Sequence, residues 1–324
     1  MAEQAANENS PSNESHTPVL FREVMALLQP RAGGRYIDCT VGAGGHSAGI
    51  LDLSAPDGRL LGIDRDPEAI VFAGQRLEAF GDRVTLVNAS FGLLATVSRE
   101  YGFEVVDGVL LDLGLSSRQL GSAERGFSFL NEGPLDMRFD SRQGETAADL
   151  INNLSAEELA DIFWRYGEEK QSRRLARLIV ANRPLTTTGE LAELVAGHKR
   201  FSPRGGRYRH PATQIFQALR IAVNDELAEV EKGLTAAVQL LKPGGRLAVI
   251  SFHSLEDRLV KQFFRQLSRD CVCPPQQPVC TCGAKASLTR VTRKAVQATA
   301  AEIVTNPRSR SARLRVAARL ENDI

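Results

Sequence analysis

A chain of 324 residues, 43% of them hydrophobic, is long enough to bury one large core and a smaller one beside it. Its 40 Lys/Arg against 39 Asp/Glu leave a net charge near +1, so any attraction to a polyanion must come from local surpluses. No run of 18 uncharged apolar residues exists, which excludes a membrane-spanning helix, and the opening MAEQAANENSPSNESH lacks the basic and apolar regions of a secretory signal. Residues 1–15 read instead as a disordered polar tail. The five cysteines, an odd number in a long chain, fit a reducing cytoplasm better than a secreted disulfide scaffold.

Tyr36 to Cys39 is a short apolar run ending in the glycine-rich turn Gly42-Ala43-Gly44-Gly45, which predicts strand, turn and helix. Arg59 to Ile63 predicts a second strand ending at Asp64. Asp66 then caps a helix that has Pro67 at its first position and Ala69, Ile70, Ala73 and Leu77 at helical spacing. Val84–Val87 predicts a third strand and Asp107–Leu111 a fourth, ending at Asp112. Near-continuous apolar runs of this kind suit parallel strands buried on both faces. The next strand, Arg246–Phe252, follows the helix stop Leu241-Lys242-Pro243-Gly244-Gly245. Strands alternating with helices give a doubly wound α/β sheet.

The stretch from Asp112 to Gly245 is far longer than one crossover needs, so a separate unit is inserted there. Its middle reads as helical. Ser155 and Glu158 form a capping box before Leu159, Ile162, Phe163 and Tyr166. Leu175, Leu178 and Ile179 mark a second helix. Thr187 and Glu190 cap a third carrying Leu191, Leu194 and Val195. Pro211 opens a fourth through Ile215, Leu219, Ala222 and Val223 and leads back to the sheet. The expected organisation is a first part of the sheet domain over 16–134, an inserted helical substrate-binding domain over 135–212, and a second part over 213–324 ending in a basic segment.

Glycines at 42, 44 and 45 let the backbone approach a ligand closely, and Asp64 ends the next strand, where an acid binds a ribose hydroxyl in dinucleotide folds. Ser47 stands where the NAD fingerprint requires its third glycine. With Asp112 closing strand four and the Pro-Gly-Gly turn before strand five, the layout resembles an S-adenosylmethionine-dependent methyltransferase.

Longer motifs make the resemblance specific. They are His16-Thr17-Pro18-Val19-Leu20, Asp112-Leu113-Gly114-Leu115-Ser116-Ser117-Arg118-Gln119-Leu120, Glu124-Arg125-Gly126-Phe127-Ser128-Phe129 and Gly133-Pro134-Leu135-Asp136-Met137-Arg138. Thr213–Arg220, Val223–Leu227, Ser251-Phe252-His253-Ser254-Leu255-Glu256-Asp257 and Asn306–Ser311 continue the series. Together they resemble the bacterial ribosomal RNA small subunit methyltransferase H (MraW) family from about His16 to about Leu320. Leu115 stands where valine is more usual, a change between two aliphatic residues. The resemblance implies a Rossmann-like methyltransferase sheet and methylation of the N4 amino group of a decoding-site cytidine in 16S ribosomal RNA, within the small ribosomal subunit. It implies cofactor contacts from Gly44, Gly45, His46, Asp64, Phe91, Asp112 and Gln119.

Methyl transfer is an in-line displacement, to which proximity and alignment contribute roughly 7–11 kcal/mol. The exocyclic amine has its lone pair delocalised into the ring, so an acceptor for an N4 hydrogen would help. The candidates are Asp112, Asp136 and His253. Asp136 is expected to take the proton and Arg138 to position the cytidine or its phosphate; the plainer reading is that these two pair with each other. Phe127, Phe129 and Phe139 suit the core better than base stacking.

From Arg165 to Arg220 there are 12 Lys/Arg against 4 Asp/Glu, and from Lys285 to Arg319 9 against 1. Such surpluses suit RNA, with Lys199, Arg200, Arg204, Arg207 and Arg209 in a loop able to follow phosphates. Solvated helix faces are the alternative. Cys271-x-Cys273 and Cys280-x-Cys282 place four thiols within 12 residues, enough for one structural zinc, although the spacing is not the usual C-x-x-C knuckle. Four reduced thiols in a surface hairpin are the alternative there, and Cys39 is expected in the core. Competing functional readings are an NAD-dependent oxidoreductase and a non-catalytic RNA-binding assembly factor. The sequence leaves the oligomeric state open, a homodimer included.

Overall fold

The computed structural model describes residues 18–198, 210–274, 276, 277 and 279–321. The polar opening, His16 and Thr17, and the basic loop residues Lys199, Arg200, Arg204, Arg207 and Arg209 lie outside them.

Seven strands form one sheet: β1 (Arg35–Asp38), β2 (Arg59–Asp64), β3 (Val84–Asn88), β4 (Val106–Asp112), β5 (Leu241–Ser251), β6 (Leu288–Arg290) and β7 (Arg313–Arg319). Their spatial order is β3-β2-β1-β4-β5-β7-β6. The first five run parallel, whereas β7 is antiparallel to both β5 and β6. The chain builds outward from β1 to β3 and then returns to β4 on the other side of β1. This Rossmann-like sheet therefore reverses its order between β1 and β4, where open α/β sheets leave a crevice for ligands.

The helices are α1 (Phe21–Leu28), α2 (Gly45–Leu53), α3 (Pro67–Leu77), α4 (Leu94–Glu100), α5 (Ser117–Gly121), α6 (Ala147–Asn153), α7 (Ala156–Gly167), α8 (Ser172–Ala181), α9 (Thr188–His198), α10 (Thr213–Asn224), α11 (Glu226–Leu240), α12 (Ser254–Leu267) and α13 (Ala300–Thr305). Helices α1, α2 and α3 bury Val24, Leu28, Ile50, Leu51 and Leu77 on one face of the sheet. Helices α4, α11 and α12 bury Leu94, Val230, Leu234, Val260 and Phe264 on the other. Both faces are covered, so the parallel strands are apolar on successive residues rather than alternate ones. Cys39 is buried in this core. Among the described residues no helix is long and apolar enough to cross a membrane.

A third core belongs to the helical insert. Leu159, Phe163, Leu175, Ile179, Leu191 and Val195 meet Phe127, Leu135 and Met137 there. Ser155 accepts from the N–H of Glu158 in the expected capping box, and Thr187 exchanges equivalent bonds with Glu190. Ile215, Phe216, Ala218 and Leu219 of α10 share this core. The helix starts at Thr213, two residues after Pro211, and the left-handed Asp225 (φ +50°) separates it from α11.

Strand β5 begins earlier than its apolar run. Leu241 pairs with Val106, and the next pair is Arg246 with Gly108, so Pro243-Gly244-Gly245 forms a bulge in the strand.

Candidate active site

Because β1, β2 and β4 are parallel and in register, their carboxyl ends bring Asp38, Asp64 and Asp112 to one edge. The glycine turn crosses that edge and opens α2. Gly44 caps the helix at φ +76° without a side-chain bond, so the first N–H groups of α2 face the crevice with no partner inside the helix. Gly45 is also fixed by packing, since a Cβ there would lie 2.4 Å from Pro18 Cγ. The imidazole of His46 lies between two acceptors: Nε2 is 3.0 Å from the Val19 carbonyl, and Nδ1 is 3.6 Å from Asp112 Oδ2. Burial pushes this imidazole down to about 4, so it is neutral.

Asp64 accepts from the N–H groups of Gly42 and Asp66, each at 2.9 Å. One bond per oxygen leaves one acceptor position on each, which matches a pair of vicinal hydroxyls. Burial raises its carboxyl to about 7, helped by the charges of Asp66 and Asp38 and opposed by the two N–H groups. Asp38 is pushed up to about 6 by burial, although Ser47 Oγ donates to it at 2.7 Å. Asp112 is raised well above the usual range, first by burial and then by the carboxylates of Asp38 and Glu256. Its Oδ1 is buried with no hydrogen-bond partner. A buried acceptor left unpaired costs about 1–3 kcal/mol, so this atom is poised for a donor or a cation brought by a ligand.

Gln119 sits one layer back. Its Nε2 donates to Asp66 at 2.8 Å, and its Oε1 accepts from the N–H of Ser116, which caps α5. Arg125 also binds Asp66, at 2.9 Å, and its other nitrogen reaches the carbonyls of Arg138 and Phe139. Phe91 packs its ring on α11 so closely that a Cβ on Gly233 would lie 2.8 Å from it. A cleft of about 440 Å3 opens where β2 and β3 end, lined by Arg65, Asn88, Ser90, Leu93, Asp140 and Asn224 among others. Asp112 and Asp136 are not part of its lining.

Asp136 is engaged by Arg138. Nε and Nη2 bind its two oxygens at 2.9 and 2.6 Å, and the Arg138 N–H adds a third bond. Burial would raise this carboxyl, but those bonds outweigh it and hold it below the usual range. Between the two residues Met137 has φ +64°, a conformation a side chain rarely adopts. It persists because the Met137 side chain is buried in the helical core and Asn224 Nδ2 binds its carbonyl at 2.7 Å. Asn224 Oδ1 also accepts from the N–H of Phe139, and the Asn224 carbonyl from Arg65. Phe127 and Phe139 stack at 5.5 Å, and Phe129 meets Phe216 edge-on; these rings line the helical core, as expected.

His253 caps α12 through Nδ1, and its Nε2 lies 3.0 Å from Glu256 Oε1 without a well-aligned bond. Buried Glu256 accepts from the N–H groups of Phe252 and His253. Glu226, His253 and Glu256 bring ligand-type atoms within 4.8 Å, but Arg220 already binds both oxygens of Glu226 at 2.7 and 2.9 Å and supplies the positive charge. The three candidate proton acceptors thus divide. Asp112 and His253 share Glu256 as a neighbour, while Asp136 lies among arginines.

Sequence reasoning passed over Asp38, Arg125, Asn224 and Glu256 as site residues. Asn224 and Glu256 stood inside quoted motifs, but their partners are remote in the chain or reached only through a cap.

The model of the MraW methylase family matches residues 13–320. A ribosomal RNA small subunit methyltransferase H from Thermomicrobium roseum is 53% identical over 316 residues, covering 97% of this chain and 96% of that protein. A protein of the same name from Geotalea uraniireducens is 51% identical over 314 residues, covering 95% and 100%. Among solved structures, an SAM-dependent O-methyltransferase from Thermotoga maritima superposes with a TM-score of 0.40 at 12% identity, covering 96% of this chain and 70% of that one.

Proposed function

We propose, given that the chain belongs to the MraW methylase family, that it methylates the N4 amino group of a decoding-site cytidine in 16S ribosomal RNA, using S-adenosylmethionine. One observation carries the reading. A chain that matches the family over nearly its whole length keeps, at a single sheet edge, a glycine turn, an acid ending β2, and an acid ending β4 with an unpaired buried oxygen. Those groups fit the cofactor.

The open N–H groups of Gly45 and His46 suit a carboxylate, helped by the positive end of the α2 dipole. Asp64 suits the two ribose hydroxyls, and Phe91 borders the adenine end. Gln119 holds the pocket wall through Asp66. When bound, S-adenosylmethionine supplies a methyl group on a positively charged sulfur, which becomes a neutral thioether as the carbon–sulfur bond breaks. Asp112 takes the proton that N4 gives up as its bond to carbon forms. Its Oδ1 is buried without a partner, and its raised affinity for protons, caused by burial and the carboxylates of Asp38 and Glu256, favours holding the proton it receives. Asp136 has three of its four acceptor positions committed to Arg138, so the pair acts in positioning the cytidine. His253 caps α12, whose first turn carries Glu256. The exposed Arg173, Arg174 and Arg177 of α8 supply part of the basic surface for RNA.

The test is methylation of small subunits purified from a strain lacking this enzyme, with the product nucleoside identified by mass spectrometry. N4-methylcytidine is expected. A methyl on another atom or base removes the cytidine assignment, and no transfer to RNA removes the substrate class.

A further inference from the structure

The chain between α12 and β6, residues 268–287, is long, and its described residues form no helix or strand. Segments of this length without structure need something to hold them. Apolar packing does not do so here, because Val272 and Val279 are 47% and 69% exposed. Nevertheless four side chains converge. The sulfurs of Cys271, Cys273, Cys280 and Cys282 all lie within 4.8 Å of one another. Cys280 and Cys282 are 3.6 Å apart, Cys273 and Cys280 4.0 Å, and Cys271 and Cys282 4.0 Å.

These distances rule out a formed disulfide, which requires about 2.05 Å. They match another geometry. A zinc ion at the centre of a sulfur tetrahedron, with bonds of about 2.3 Å, sets its ligands about 3.8 Å apart. The Val272 N–H donates to Cys282 Sγ at 3.4 Å, giving a sulfur ligand a backbone donor outside the cluster. The two ends of the segment are already tied: Ala286 donates to Asp270 Oδ1 at 3.1 Å and Ser287 to the Leu267 carbonyl at 2.8 Å.

We propose that Cys271, Cys273, Cys280 and Cys282 bind one zinc ion that serves as the core of this segment and anchors the edge strand β6. The two C-x-C pairs each supply two ligands. Each thiol that binds gives its proton to the solvent, so the set of four thiolates replaces the water shell of the ion without any redox step. Four protein ligands fill a tetrahedron, which leaves no open position for substrate and makes the site structural. The segment leads into β6, the edge strand next to β7, and the proposal stands independently of the proposed methylation.

The experiment uses the full chain, purified without chelator or affinity metal and analysed by elemental mass spectrometry. One zinc per chain is expected, falling below about a tenth in the Cys280→Ser/Cys282→Ser double variant. Cobalt added to the metal-free wild-type protein should give the intense visible absorption of tetrahedral thiolate coordination, a readout that needs no variant to fold. Less than a tenth of an equivalent of zinc in reduced wild-type protein after zinc is supplied overturns the proposal. So does stoichiometric iron in place of zinc, an octahedral cobalt spectrum, or full zinc retention in the double variant.

Discussion

Titrating S-adenosylmethionine into the protein between pH 6 and pH 8 reads the charge state of Asp64. Burial and the nearby Asp66 and Asp38 hold this carboxyl near 7 in the ligand-free protein, against the opposing N–H groups of Asp66 and Gly42. Only the ionised form offers both oxygens as acceptors to the ribose hydroxyls, because a protonated carboxyl must present its own O–H. Raising the pH ionises Asp64, so affinity should rise with pH and level off above about 8. With a carboxyl near 7, the ionised fraction falls from about ten-elevenths at pH 8 to about one-eleventh at pH 6, a tenfold loss of affinity or about 1.4 kcal/mol. Calorimetry in two buffers of different ionisation enthalpy should also count about half a proton released per cofactor bound at pH 7. The amino group of the cofactor titrates nearby, near 7.7–8.0 in the general case of an α-amine, so Asp64→Asn is the reference: it keeps the ligand's titration and removes the protein's. That variant should bind about 10- to 150-fold more weakly at pH 8, the worth of about 1.5–3 kcal/mol of charge-assisted bonds, with a flatter pH dependence. A wild-type slope unchanged in Asp64→Asn would refute the reasoning, since the proton would then belong elsewhere.

Asp112→Asn should lower single-turnover methylation by about two to four orders of magnitude, while Asp136→Asn leaves some of its Arg138 contacts and costs less than tenfold; the reverse ranking in rapid-quench assays would return the proton to Asp136. Glu256→Gln removes a charge that raises Asp112, so the acidic limb of the kcat/KM profile should move to lower pH, and an unmoved limb would detach Asp112 from that limb. Asn224→Ala strands the Phe139 N–H and the Met137 carbonyl in a buried setting; calorimetry should show about 2–4 kcal/mol of destabilisation, and a loss below about 0.5 kcal/mol would show that water replaces the amide.

Much of the sheet was legible because its signals are local. Parallel strands buried on both faces print as apolar runs, and β1 to β4 fall within a residue or two of their predicted ends. Asp64 and the glycine turn were readable for the same reason: each strand end is adjacent in sequence to the residue it positions. Strand β7 was missed because arginines at 313, 315 and 319 alternate with its apolar residues, so a half-buried strand reads as a basic segment. The ties of the insert were illegible for a different reason. Asn224 meets Met137 and Phe139, and Arg125 meets Asp66, across distances in the chain that no spacing rule reaches. Asp136-x-Arg138 was visible as a pair, but how it is spent depends on the left-handed Met137, a conformation that residue type does not announce.

The charge states separate the two halves of the site more sharply than the residue types do. In the insert, acids have guanidinium partners: Arg138 holds Asp136 below the usual range, and Arg142 brings Asp140 down to about 2. At the sheet edge, no Lys or Arg among the described residues ion-pairs with Asp38, Asp64 or Asp112, and all three are pushed upward. Three crowded carboxyls without a counter-charge resist ionisation together, and each proton they keep relieves the others. A ligand that arrives with positive charge and hydroxyl donors opposes this, favouring the ionised forms that burial disfavours. On the proposed reading, cofactor affinity falls where these carboxyls keep their protons and rises where the ligand's charge and hydroxyls favour their ionised forms. Amides at these positions would remove the competition with protons and the charge-assisted bonds together.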